Sequence, residues 1–211
     1  TYTFDLHGGA EVFPLSAQSG TYNVSVYENV EGTQYASVLS QTIQVSITDE
    51  FGAFLYPNQF VNFTASSLAV QKGSELAYYC NNDTEVVESV YNYIISNFKY
   101  DYDKAKNVKS GYIPDIDKVF TEKTGICFDY ASVMAAMLRS QSIPTRLEVG
   151  YAGDEYHAWI STYIKDKGWI NGIIEFNGTD WNMLDPTFAS TSSSPKDFIA
   201  KDSDYIVKYV Y

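Results

Sequence analysis

Cysteine and histidine are nearly absent from this chain, which holds two of each in 211 residues: Cys80, Cys127, His7 and His157. Two cysteines close at most one disulfide, so the fold is not a disulfide framework. No Cys/His cluster has metal-ligand spacing and no Gly-rich phosphate loop is present, so no metal or cofactor is expected. Positive charge is also scarce. Fourteen Lys and Arg against 26 Asp and Glu leave a formal net charge of -12. A surface of that sign repels phosphate backbones and anionic headgroups, which argues against nucleic acid and membrane surfaces as partners and otherwise serves solubility. Long apolar runs are missing too. Nothing approaches the roughly 18–20 residues that cross a bilayer, so no membrane insertion is expected. The chain starts at Thr1 rather than Met, as a mature or trimmed chain does once a signal segment is removed. With its polar, β-rich first third, that sets the expectation of an extracellular or cell-surface protein.

What is plentiful is apolar and aromatic residues. Hydrophobic residues make up 45% of the chain and aromatics 16%, with 19 tyrosines. That is enough for one large or two small cores. Residues 1–75 read as a small all-β domain. Thr21 to Tyr27, Ile43 to Ile47 and Phe60 to Phe63 alternate apolar with polar positions, and Gly8-Gly9, Ser19-Gly20 and Glu31-Gly32 punctuate them as turns. Residues 76–211 read as a second domain, helices first and sheet after, an α+β layout. Asn82-Asp83-Thr84 offers N-cap chemistry, and Val86, Val87, Val90, Ile94, Ile95 and Phe98 then make one helical apolar face. Residues 101–124 read as a long polar loop. A second helix starts at about Cys127, and Ser142-Ile143-Pro144 ends it. Strands follow over Arg146 to Tyr151, Ala158 to Ile164, Trp169 to Phe176, Trp181 to Asp185 and Tyr205 to Tyr211, with a small-residue loop from Ser190 to Ser194.

Three residues suit nucleophilic chemistry. A cysteine thiol at its ordinary pKa of about 8.5 holds little thiolate at neutral pH. The positive end of a helix and a neighbouring imidazolium both enlarge that fraction. Cys127 sits at the predicted helix start, after Gly125, which allows a tight turn and room for substrate. Its backbone N–H is a candidate oxyanion donor. His157, in Tyr156-His157-Ala158-Trp159, is the candidate base, because His7 is the only other histidine. Asp185, at a predicted strand end before Pro186, supplies a carboxylate that could orient the imidazole. Taken singly, a cysteine at a helix start is more often a small buried hydrophobe. Asp101-Tyr102-Asp103 and Asp115-Ile116-Asp117 lack the glycine and distal glutamate of a calcium loop and read as solvated carboxylates.

The stretch Thr124-Gly125-Ile126-Cys127-Phe128-Asp129-Tyr130-Ala131 resembles the nucleophile motif of the transglutaminase-like superfamily. Ile143-Pro144-Thr145-Arg146, Val149-Gly150-Tyr151, Tyr156-His157-Ala158-Trp159 and Trp181 through Phe188 resemble its later motifs, and the lead-in over Phe98 to Asp101 and Tyr112 to Asp115 is similar to that of bacterial secreted members. The resemblance covers residues 84–190. It implies a papain-like α+β core, a Cys-bearing helix packed on an antiparallel sheet, with Cys127, His157 and Asp185 as a catalytic triad. Such enzymes usually take a second oxyanion donor from upstream of the cysteine, and Tyr112 is the candidate.

These readings together give a cysteine-dependent amide-bond enzyme, an extracellular peptidase or amidase working through a thioester acyl-enzyme. A protein, peptide or cell-wall peptide is the expected substrate. The alternatives are a protein-crosslinking acyl transferase and a non-catalytic surface-binding module on the same fold.

Overall fold

The computed structural model describes residues 2–3, 11–152, 154–165, 167–171, 174–176, 181–183 and 205–211. One helix organises them. Helix α5 (Cys127–Arg139) is buried on nearly every side from Asp129 onward, because small alanines alternate with Val133, Met134, Met137 and Leu138 around its whole circumference. Helices α1 (Leu68–Ala77), α2 (Asp83–Asn97) and α4 (Ile116–Glu122) pack around it. Its remaining face lies on an antiparallel sheet of order β10-β5-β6-β7, made of β5 (Thr145–Ala152), β6 (Glu155–Ile164), β7 (Gly168–Asn171) and β10 (Tyr205–Val210). The expected α+β core, a cysteine-bearing helix on an antiparallel sheet, is what the chain adopts.

The register fixes what each sheet face carries. Leu147 pairs with Ile160 and Val149 with Ala158, and all four are core residues under α5. The alternate set pairs Arg146 with Ser161, Glu148 with Trp159 and Gly150 with His157, and so occupies the opposite face. At the far end of α5, Arg139 is buried and its guanidinium donates to the carbonyls of Thr145, Tyr56 and Tyr211 at 2.9, 2.9 and 2.8 Å. Burial pulls its pKa down to about 9. This fork gathers three distant segments at one point.

Several expectations are corrected. The N-terminal sheet is a single hairpin, β1 (Gly20–Glu31) and β2 (Gln34–Val45), and among the described residues no second layer covers it. It is held by cross-strand polar pairs, Thr42 to Asn23 and Gln44 to Thr21, each at 2.7 Å. Phe60 to Phe63 is not a strand. The Asn58 side chain accepts from the backbone N–H of both Phe60 and Val61 at 3.0 Å, which makes a turn, and both side chains enter the helical core. Helix α1 starts at Leu68, inside the stretch expected to be β-structure.

Residues 101–124 are not one loop. Asp101 and Asp115 each accept from the backbone N–H three residues on, and so start α3 (Tyr102–Asn107) and α4. Asp117 accepts from Leu68 N–H at 2.8 Å and caps α1 from outside. Two residues of parallel pairing, β3 (Lys99–Tyr100) with β4 (Thr124–Gly125), tie the end of α2 to the approach to Cys127. The strand expected over Trp169 to Phe176 divides into β7 and β8 (Ile174–Phe176), which pairs with β9 (Trp181–Met183). The loop at Ser190 to Ser194 lies outside the described residues.

Gly73 on α1 faces the backbone of α5 at close range. A Cβ there would stand 3.0 Å from the Met137 carbonyl oxygen and 3.3 Å from its Cα. Backbone cannot step aside as a flexible side chain can. Gly73→Ala is expected to lose stability, with an overpacking cost of about 1–3 kcal/mol outweighing a helix-propensity gain of at most about 1 kcal/mol. Urea unfolding checks this, and a more stable variant would refute the packing account.

Candidate active site

Ile126, extended at φ -98° and ψ 176°, is the last residue before α5 and has no side-chain acceptor. Cys127 is therefore the first helical residue, half-buried, at the positive end of a 13-residue helix. The first backbone N–H groups of a helix have no carbonyl partner within it. The Cys127 N–H belongs to that set, which is the chemistry an oxyanion donor requires.

The turn is held from inside by Asp129, wholly buried at the third helical position. Its Oδ2 accepts from Ile126 N–H at 2.8 Å and from Lys104 Nζ at 2.6 Å, and its Oδ1 accepts from Tyr112 Oη at 2.6 Å. Lys104 Nζ also donates to Tyr112 Oη at 2.7 Å. Three partners satisfy a carboxylate that would otherwise be costly to bury, and Lys104 balances its charge. The sequence reading assigned Asp129 no role and overlooked Lys104. An acidic residue three positions after a helix start was the available signal, as in one half of a capping box.

Two expectations change with this network. Gly125 does not leave space for substrate. A Cβ there would lie 2.7 Å from Asp129 Cβ and 2.8 Å from its Oδ2, so the missing side chain makes room for the carboxylate. Tyr112 gives its one proton to Asp129, and burial followed by that bond pushes its pKa far above the usual tyrosine value. The structure thus has Tyr112 supporting Asp129, not donating toward an oxyanion.

His157 is the third residue of β6, 5% exposed, with its ring 6.3 Å from that of Trp159 at an interplanar angle of 23°. Trp159 Nε1 donates to Glu148 Oε2 at 2.8 Å and Ser161 Oγ donates to the same oxygen at 2.6 Å, so a buried carboxylate orients the indole beside the histidine. The neighbouring Tyr156 is exposed. Its hydroxyl pKa is raised first by partial burial, then by Tyr209, Tyr151 and Cys127. Helix α5, which opens with Cys127, packs on β6, the strand that carries His157. Asp185 lies outside the described residues. Cys80 is a free thiol like Cys127, but it donates to the Leu76 carbonyl at 3.3 Å, and its pKa is raised, chiefly by burial.

Residues 73–172 match the model of the transglutaminase-like superfamily core. The match includes Cys127 and His157 and stops short of Asp185. Among curated relatives, the uncharacterized Bacillus subtilis protein YebA is 23% identical over 206 residues, covering 80% of this chain and 26% of its own length. A protein-glutamine gamma-glutamyltransferase of Pseudomonas aeruginosa is 27% identical over 108 residues, covering 43% of this chain and 14% of that protein. The chain thus spans about a quarter or less of these relatives' length. The periplasmic domain of TgpA from Pseudomonas aeruginosa superposes with a TM-score of 0.45 at 21% identity, covering 61% of this chain and 45% of that one.

Gly125→Ala is expected to dislodge Asp129, with a stability loss of about 1–3 kcal/mol from overpacking and slower alkylation of Cys127 by iodoacetamide. Alkylation at the wild-type rate in a folded Gly125→Ala protein would contradict the positioning. A second expectation concerns high pH. The pKa of Tyr112 is higher folded than unfolded, so its neutral form contributes stability that is intact below the unfolded value of about 10 and declines above it. Tyr2, raised to about 12 chiefly by burial, acts with the same sign. Melting temperature should fall as pH rises past about 10, and less steeply in Tyr112→Phe.

Proposed function

From the match of residues 73–172 to the transglutaminase-like superfamily core, we propose that the chain is a cysteine-dependent amide-bond enzyme with Cys127 as nucleophile, His157 as acid and base, and Asp185 as the carboxylate that orients the imidazole. The observation that carries this reading is the position of Cys127. It is the first residue of a buried helix whose opening turn is fixed by an internal carboxylate, and that helix packs on the strand that bears His157.

In the proposed reaction the Cys127 thiolate attacks an amide carbonyl carbon, and the C–S bond forms as the carbonyl π electrons move to oxygen. The oxyanion is met by the Cys127 N–H. The electrons return, the C–N bond breaks, and the amine leaves with the proton that His157 supplies. A thioester remains. Water, losing a proton to His157, then attacks it and regenerates the thiol with release of a carboxylic acid. An amine in place of water would give transamidation. We favour hydrolysis, as an extracellular peptidase or amidase, because water is always present and no lysine-docking surface can be read from the sequence. The net charge of -12 favours a neutral or basic peptide, cell-wall peptides included, over an acidic one. The hairpin β1–β2 then serves as a spacer or substrate contact.

The test is a screen of peptides and glutamine-containing substrates for ammonia or amine release, with Cys127→Ala as the blank. Cys127→Ala should abolish turnover. His157→Ala should reduce it by about 10²–10⁴-fold, the usual worth of positioned proton transfer. Cys80→Ala should leave it unchanged. Added amines that divert the product from acid to amide would identify a transferase. Absence of both Cys127 alkylation and any trapped thioester with activated esters would refute the enzyme reading.

A further inference from the structure

The sheet face that α5 buries is longer than the helix that covers it. Under α5 that face presents Leu147, Val149, Ala158 and Ile160, all core residues. Beyond the first turn of the helix the same face continues, and its residues become tyrosines on three adjacent strands. Tyr151 of β5 pairs directly with Tyr156 of β6, their rings 5.5 Å apart. Tyr209 of β10 pairs with Val149, two positions before Tyr151 on the same side of the sheet. These tyrosines are 39%, 60% and 42% exposed, respectively. Sheet surface next to a core is ordinarily polar, yet three large rings stand partly open there.

A second line of contacts ties the patch to the nucleophile. Phe128, the residue after Cys127, lies 5.6 Å from the Phe60 ring. Phe60 lies 4.4 Å from Tyr211, and Tyr211 stacks 6.2 Å from Tyr209 at 19°. The open tyrosines thus continue an aromatic layer that passes beneath the first turn of α5.

From this geometry we infer that Tyr151, Tyr156 and Tyr209 form a substrate subsite beside Cys127, one that takes large apolar or aromatic side chains flanking the reactive amide of a polypeptide. Tyrosine suits the role because it presents rigid contact area at low entropic cost and keeps a hydroxyl for the peptide backbone. A phenol offers a hydroxyl and a ring but no ammonium or carboxylate, so the subsite reads side-chain bulk and not sign. The inference rests on the proposed enzyme reading and narrows its substrate class.

Binding in the inactive Cys127→Ala protein tests the subsite without turnover. Two short fluorescein-labelled peptides of zero net charge would be used, identical except that one carries Leu and Phe on either side of a central glutamine and the other Ser and Gly. The Leu/Phe peptide should bind at least about tenfold more tightly, the ratio that a residue worth somewhat over 1 kcal/mol produces. Adding Tyr151→Ala and Tyr156→Ala together should erase that preference while the melting temperature holds. Tyr151→Phe with Tyr156→Phe should retain most of it. Equal binding of the two peptides, or a preference that survives both alanine changes, would overturn the subsite. Iodoacetamide labelling of Cys127 in the wild-type chain reports on the nucleophile alone, so the two proposals fail separately.

Discussion

A buried carboxylate at the start of a helix sets the geometry on which the candidate site depends. Asp129 faces inward at the opening turn of α5, where water cannot satisfy it, and is stable there because an ammonium, a phenol and a backbone N–H converge on its two oxygens. Each partner comes from a different place. Lys104 is in α3, Tyr112 follows the α3 turn, and Ile126 immediately precedes the thiol. The segment that looks most dispensable in the sequence, residues 101–124, therefore contributes two of the three groups that keep Cys127 where it is. Gly125 belongs to the same arrangement, since only a residue without a side chain lets the carboxylate approach so closely.

The opposite half of the site is built on the same plan. Glu148 is nearly inaccessible and collects the Trp159 indole N–H and the Ser161 hydroxyl on a single oxygen. That fixes the indole, and the indole lies almost parallel to the His157 ring. One acidic side chain braces the helix that bears the thiol, another braces the strand that bears the histidine, and α5 packed on β5 and β6 connects them. Among the described acidic residues, Asp129 and Glu148 are the buried ones.

Much of this was legible in the residues. The helices α2 and α5 announce themselves by apolar positions at spacings of three and four, because that period follows from burying one face of a helix, and strands β5, β6 and β10 by runs of strand-forming residues between turn signals. Cys127 was placed correctly at a helix start, since a glycine and a non-helical residue precede it. What escaped detection was governed by tertiary partners. The caps of α3 and α4 are single aspartates in a polar stretch and give no periodic signal. Phe60 to Phe63 alternates like a strand, yet Asn58 bends it into a turn. Asp129 and Lys104 are 25 residues apart, and nothing local pairs them. Strand β1 was visible, but β2 was read only at its end, over Ile43 to Ile47, and that no second layer covers the hairpin among the described residues was not read at all, because alternation reports that a face is apolar without saying what covers it.

Arg139 bears on how the molecule assembles. Its guanidinium is satisfied only when the carbonyls of Tyr56, Thr145 and Tyr211 have all arrived, and the first and last of these are 83 and 72 residues away along the chain. Until then a desolvated cation would sit unsolvated at the end of a hydrophobic helix. Partly assembled states are thus penalised, and the helix end, the loop before it and the outermost strand lock together or not at all. Long-range closure of this kind slows the approach to the native state, and in return it discourages any single segment from peeling away once the fold is complete.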